Sequence, residues 1–243
     1  MKNIITFLHD LQCNNNREWF NSHKSEYIAV QARFNTFVEE LIKEISLFEP
    51  AVEGLTAKDC TYRIYRDTRF SSDKSPYKTH LGAFICRGGK KSGYSGYYFQ
   101  ISAGKKEAIS ELPFIECEEQ AESWQDIHFL ASGDYCCSPE VLQVIREDIM
   151  NGEGDFEHII KHKVDAGFYL DTDNMLKRNP KGFPNDAPYS EYLRLKYFCL
   201  MHPVDIDFIC TPNLAQRLAK LFQTTKPFID YVNRAVDYVR EQN

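Results

Sequence analysis

The chain has 243 residues, with 29 Lys or Arg against 35 Asp or Glu, a net charge of −6, 43% hydrophobic and 14% aromatic side chains. That composition is ordinary for a soluble globular enzyme or binding protein, and the length suffices for a substantial core without staples. No apolar run is long enough to span a bilayer, so a transmembrane helix is excluded.

MKNIITFLHDLQ at the start interleaves apolar and polar residues, so it reads as a helix over 4–11 with Asn3 as N-cap and not as a secretory leader. The polar run Asn14-Asn15-Asn16 breaks it and offers a new cap. From Arg17 onward Trp19, Phe20, His23, Tyr27, Val30, Phe34, Phe37, Leu41 and Ile45 recur at intervals of three and four, which predicts one long amphipathic helix ending before Pro50. Between 60 and 106 the period changes to that of strands, at Tyr62–Arg66, Leu81–Cys86 and Tyr97–Ser102, separated by Ser71–Pro76 and by RGGKKSGYSG. Loops this short make them antiparallel neighbours.

After an acidic stretch, DIHFLAS at 126–132 reads as a further strand, and SPEVLQVIREDI opens a helix with Ser138 as N-cap and Pro139 in its first turn. A short helix over 153–163, a short strand at Phe168–Leu170, an irregular loop LKRNPKGFPNDAP and a strand at Leu193–Met201 follow, then two helices over 212–222 and 227–240. The fold class is therefore α+β: a largely antiparallel sheet flanked by a long N-terminal helix and C-terminal helices. The reading is a single domain over residues 1–243, helical over 1–54, sheet-rich over 58–132 and mixed α/β over 138–243.

Eight cysteines are scattered without any C-x-x-C, so neither a zinc ribbon nor a redox dithiol is expected, and thiols in a reducing cytoplasm fit best. Charge is unevenly placed. Residues 58–106 hold eleven Lys or Arg against three acids, and residues 107–157 hold one Arg against fourteen acids.

The densest chemistry lies in YRIYRDTRFSSDKSPYKTH at 62–80, where Arg63, Arg66, Arg69, Lys74 and Lys78 outnumber Asp67 and Asp73 by three. Carboxylates beside guanidiniums form bidentate pairs that fix the Arg fork and leave other donors free for a third group. One reading is a surface network whose stems cover the sheet while the charged heads reach water. The other is a pocket for a phosphate or carboxylate, with Asp67 or Asp73 as a general base or as the partner aligning the cations.

NNNREWF at 14–20, RIYRDTRFSSDKSPYKTH at 63–80, GYYFQI at 96–101 and LKRNPKGF at 176–183 resemble the bacterial family catalogued as domain of unknown function 2461. These motifs, in this order, cover most of the chain. The family carries no established activity. The resemblance implies that its hallmark corresponds to Arg66, Asp67, Arg69, Phe70, Ser71, Asp73, Lys74, Pro76, Tyr77 and Lys78 here. Members often carry Asp-His-Pro after the Lys-Gly-Phe motif, where this chain has Asp186-Ala187-Pro188, which argues against imidazole chemistry in that loop. Residues 105–125 look like a local expansion.

The candidate ligand-binding set is Arg17, Arg63, Arg66, Arg69, Lys74, Tyr77, Lys78 and Lys181, converging on a small anionic ligand. A nucleic-acid module stacking bases on Tyr62, Tyr65, Tyr97 and Tyr98 is the alternative, opposed by the overall acidity. A purely structural or protein-interaction role is the third. His158 and His162 share a helical face but lack HExxH, so no metal is expected, and His80 and His202 read as hydrogen-bonded structural residues. No cofactor motif is present.

Overall fold

A computed structural model describes residues 1–104, 126–152, 155–164 and 166–242. The expansion at 105–125 lies outside them. Helix α1 (Lys2–Cys13) buries Ile4, Ile5, Phe7, Leu8 and Leu11, and its N-cap is Met1 instead of Asn3. Cys13 is disulfide-bonded, which departs from the expectation of thiols throughout; Cys60, Cys86, Cys136, Cys137, Cys199 and Cys210 are free.

The long helix expected from Arg17 is two helices. α2 (Arg17–Ser22) is capped by Asn16, whose side chain accepts the Trp19 N–H at 2.9 Å. The chain then leaves helical geometry at His23, whose ring stacks on Trp19 at 4.0 Å, before α3 (Lys24–Ser46) begins. After a 3-10 turn at Pro50–Val52 comes α4 (Ala57–Cys60), closed by a capping box between Thr56 and Asp59.

Strands β1 (His80–Ile85), β2 (Gly96–Ser102) and β3 (His128–Asp134) follow, then α5 (Pro139–Asn151), capped by Ser138, and α6 (Asp155–Val164). β4 (Tyr169–Leu170), α7 (Ser190–Leu193), β5 (Phe198–Val204), α8 (Ile206–Ile209) and α9 (Leu214–Glu241) complete the order. β5 starts later than expected because residues 190–193 form a helical turn. The two C-terminal helices are one. Pro227 lies on the exposed side of α9, and the Thr224 and Thr225 hydroxyls bond back to the carbonyls of Leu221 and Phe222 just upstream. Buried Phe222, Phe228 and Ile229 on either side hold the helix across the proline.

The sheet runs β1-β2-β3-β5-β4 with every pairing antiparallel. One face packs against α3 and α9: Phe37 meets Phe99 at 5.4 Å, Tyr97 meets Phe222 at 5.3 Å, and the Thr225 and Ser132 hydroxyls share a hydrogen bond at 2.7 Å. The other face carries a smaller apolar cluster of Phe129, Ala131, Tyr197, Cys199 and Met201. Tyr98 lies against that cluster by crossing Gly82, where a β-carbon would stand 2.4 Å from its hydroxyl.

Tyr62–Arg66 is not a regular strand. It pairs through isolated bridges, Thr61 with Ala83 and Tyr65 with Tyr77, so residues 61–66 and 76–83 make an irregular hairpin whose second arm runs into β1. The sum of paired residue numbers falls by two between these bridges, which breaks the ladder. This hairpin covers the β1 edge of the sheet and presents the basic stretch.

Candidate functional site

The hairpin is tied together at both ends of its loop. Arg66 N–H donates to the Pro76 carbonyl at 3.0 Å and Lys78 N–H to the Ile64 carbonyl at 2.8 Å. Between these arms, residues 67–75 are wired by their own carboxylates. Asp67 accepts Nε and Nη2 of Arg69 at 2.9 and 2.7 Å and the Arg69 N–H at 3.3 Å. Asp73 pairs with the Arg66 guanidinium and accepts the Ser75 N–H at 2.9 Å. Lys74 Nζ donates to the Thr68 carbonyl at 2.9 Å.

These pairs set the chemistry of the two carboxylates. The Arg66 hydrogen bond, then the Ser75 amide, hold Asp73 down to about 2, and the Arg69 guanidinium lowers Asp67. A carboxylate that acidic and already engaged is a poor proton acceptor at neutral pH, so the geometry favours the aligning role over the general base.

The α2 motif docks on the other side of the hairpin. Asn15 Nδ2 donates to the Tyr77 carbonyl at 3.0 Å, and the Tyr77 N–H donates to Asn15 Oδ1 at 3.2 Å. The primary amide thus stands in for a neighbouring strand. Phe20 stacks on the buried Tyr77 ring at 3.9 Å, and Tyr65 closes over both. Burial and then Tyr65 raise the Tyr77 hydroxyl, opposed by the charge of Arg17, the first residue of α2.

Alternation along the hairpin puts Tyr62, Ile64 and Arg66 on one face with Lys78 and His80. Lys78 is half-buried, its ammonium 5.4 Å from the Tyr62 ring centroid. Among the described residues no carboxylate forms an ion pair with Lys78, Arg63 or Arg17. Burial, then the charges of Arg63 and Arg66, pull Lys78 below the ordinary lysine value. Burial, then Lys78 and Arg66, push His80 down to about 4. His80 Nδ1 is buried with no hydrogen-bond partner, so it is not the satisfied structural histidine expected.

Of the eight ligand-binding candidates, alternation sets Arg66 and Lys78 on one face of the hairpin and the exposed Arg63 on the other, and Tyr77 packs against α2, which Arg17 opens. Arg69 and Lys74 point outward on the loop, which also holds Phe70 at 95% exposure. Lys181 stands in the exposed loop between β4 and α7, and β4 is the opposite edge strand from β1. Four strand spacings separate those edges, roughly 19 Å across the sheet. Two of the four tyrosines expected as stacking platforms are not free. Tyr97 is 1% exposed in the core and Tyr98 is half-buried, whereas Tyr62 and Tyr65 are 39% and 47% exposed. Sequence reasoning missed Asn15, which reads only as a helix break, and His80. A histidine two residues after a lysine at the entry to a strand was the available signal for the second.

A cavity of about 270 Å³ lies elsewhere, between the 3-10 turn, the β1–β2 connection and α9, lined by Glu49, Arg87, Ser95, Asp230 and Asp237 among others. Its charges are spent on one another: Lys226 holds Glu49 at 3.0 Å and Asp230 at 2.7 Å, and Arg87 holds Asp237 at 3.2 Å. We read it as a brace between α9 and the sheet. No group of three or more His, Cys, Asp or Glu among the described residues is placed to hold a metal ion, and no helix there is long and apolar enough to cross a membrane.

With this geometry in hand, comparison with known proteins gives one match. The chain belongs to the family of conserved hypothetical proteins designated DUF2461, whose model covers residues 3–110 and 120–231. The break between the two blocks falls within 105–125, the stretch the sequence sets apart. No curated protein and no solved structure matches the chain.

Proposed function

We propose that the protein binds a small phosphorylated or carboxylated molecule at the basic hairpin, with Arg63, Arg66 and Lys78 as the recognising cations and Arg17 and Tyr77 supporting them. One observation carries this reading. A half-buried ammonium shares a hairpin face with the Arg66 guanidinium and feels the charge of Arg63, with no carboxylate in an ion pair with it among the described residues. Like charges gathered where solvent screening is reduced are unfavourable, and an anion reverses the sign of that interaction.

In this reading Asp73 and Asp67 are orienting partners. Asp73 fixes the Arg66 fork, whose Nη2 reaches the Ser71 hydroxyl only at 3.5 Å, a long bond that an incoming phosphate or carboxylate would replace. The orphaned His80 Nδ1 adds a polar contact at the same face. Titration with inorganic phosphate, followed by calorimetry on the wild type and on Lys78→Gln, tests the reading.

A nucleic-acid role draws on a different observation, the 95% exposure of Phe70 beside Arg69, whose guanidinium lies 5.7 Å from its ring. A single exposed ring and a net charge of −6 make this the weaker reading.

A further inference from the structure

We infer that the cavity between α9 and the sheet binds a small neutral molecule rich in hydroxyl groups, of about the size of one sugar ring. This site is separate from the basic hairpin, and the inference does not depend on anion binding there.

The ion pairs that brace the cavity also set what it accepts. At about 270 Å³ it lies just below the roughly 300 Å³ at which small-molecule sites begin, which is room for one ring and not for a chain. The cations around it are engaged: Lys226 with Glu49 and Asp230, Arg87 with Asp237, and Arg234 with Asp148. An anion must displace a carboxylate from one of these pairs, and a cation meets the Lys226 ammonium, so a neutral ligand is favoured.

Polar capacity is left over at two places. Ser95 lines the cavity and is 1% exposed, and its hydroxyl is buried with no hydrogen-bond partner. Alternation puts its side chain on the α9 side of the sheet with Tyr97, whose ring meets Phe222. Asn233 of α9 accepts the Ser95 N–H at 2.8 Å and donates to its carbonyl at 3.2 Å. The backbone is therefore held while the hydroxyl goes unpaired, a cost in a buried group that a bound partner removes. Glu49 uses only Oε2, which accepts from Lys226 at 3.0 Å and from the Tyr97 hydroxyl at 3.5 Å; its Oε1 has no hydrogen-bond partner among the described residues. One ligand hydroxyl donating to Glu49 and another bonding Ser95 satisfy both groups at once, and a hydroxyl suits Ser95 because each can donate or accept.

Isothermal titration calorimetry with D-glucose and with myo-inositol tests this, at concentrations well below those at which sugars stabilise proteins by exclusion. The expected result is saturable binding of at least one of them to the wild type, weakened about fivefold in Ser95→Ala, the loss of one hydrogen bond. The same variant should keep the urea midpoint of the wild type or exceed it, because the fold itself does not pair the atom removed. Saturating phosphate should leave the sugar bound. No saturable binding of either probe, equal affinity in Ser95→Ala, or displacement by phosphate overturns the inference. A lowered urea midpoint in Ser95→Ala overturns it as well, since the hydroxyl would then be serving the fold.

Discussion

Asn15 and Tyr77 lie 62 residues apart, yet the side-chain amide of one meets both backbone polar groups of the other, at 3.0 and 3.2 Å. The contact joins the NNNREWF motif to the RDTRFSSDKSPYK motif and sets the angle at which the basic hairpin leaves the sheet. Each bond is worth about 1 kcal/mol net, so Asn15→Ala should cost roughly 2 kcal/mol. That corresponds to a melting temperature lower by roughly 4–8 °C for a chain of this size. Asn15→Asp keeps the acceptor and loses the donor, and should fall between the two. An alanine variant indistinguishable from wild type in urea melts would show that the clasp carries no load.

His80 gives a pH signature. Its folded value of about 4 lies below its ordinary 6.5, because burial and then Lys78 and Arg66 disfavour the imidazolium. A depressed folded value contributes stability above pH 6.5 that is lost as pH falls toward 4. The loss attributable to His80 is about 3 kcal/mol over that window, and His80→Gln should flatten the profile by that amount. Saturating phosphate should move the His80 titration upward, read from its ring proton shifts by NMR, since an anion at the same face favours the charged ring.

Asp73 is predicted to align and not to accept protons. Asp73→Asn removes the charge that orients Arg66, so phosphate affinity should fall several-fold with little change in fold stability, because Asp73 is 55% exposed and such pairs contribute under about 1 kcal/mol. Asp73 itself, with its folded value held to about 2, contributes that small amount above its ordinary 3.8 and loses it as pH drops through 2. Phosphate affinity unchanged in the asparagine variant would remove Asp73 from the site.

Gly82 has a steric role. A methyl group there would stand 2.4 Å from the Tyr98 hydroxyl, which donates to Gln100 Oε1 at 2.9 Å. Gly82→Ala should destabilise by roughly 1–3 kcal/mol through the forced shift of that ring. The double variant with Tyr98→Ala should recover part of the loss, measured by chemical denaturation.

The regions of the fold legible in the sequence were those whose pattern is local. Apolar residues at spacings of three and four marked α1 and α3, the Ser138 cap and Pro139 marked the start of α5, and aromatic and branched runs marked β1, β2 and β3 within two residues. What misled were places where tertiary packing overrides a local rule. Pro227 reads as a helix boundary, yet the proline sits on the exposed side and the buried residues flanking it keep α9 continuous. His23 fits the apolar stripe but stacks on Trp19 and ends α2 instead. Tyr62–Arg66 alternates like a strand, but the shift in pairing leaves only bridges.

The candidate site was legible as composition and not as geometry. Five cations against two aspartates gave the surplus, and adjacency suggested Asp67 with Arg69, which the structure contains. Arg66 chose Asp73 across the loop instead of its neighbour, a pairing that depends on how the loop folds back. The loop at 176–183 has the same chemistry in sequence, but strand order carries it to the far edge.

The central claim is that Lys78 and Arg63 form an anion site that the pairs on the outer loop do not. Melting temperature against inorganic phosphate tests it, in wild type, Lys78→Gln, Arg63→Ala and Arg69→Ala. The account predicts a rise in the wild type that persists in Arg69→Ala, and a response about tenfold weaker in the other two, the loss of one charge-assisted contact. A wild type indifferent to phosphate, sulfate and citrate, or a Lys78→Gln response equal to wild type, would contradict it.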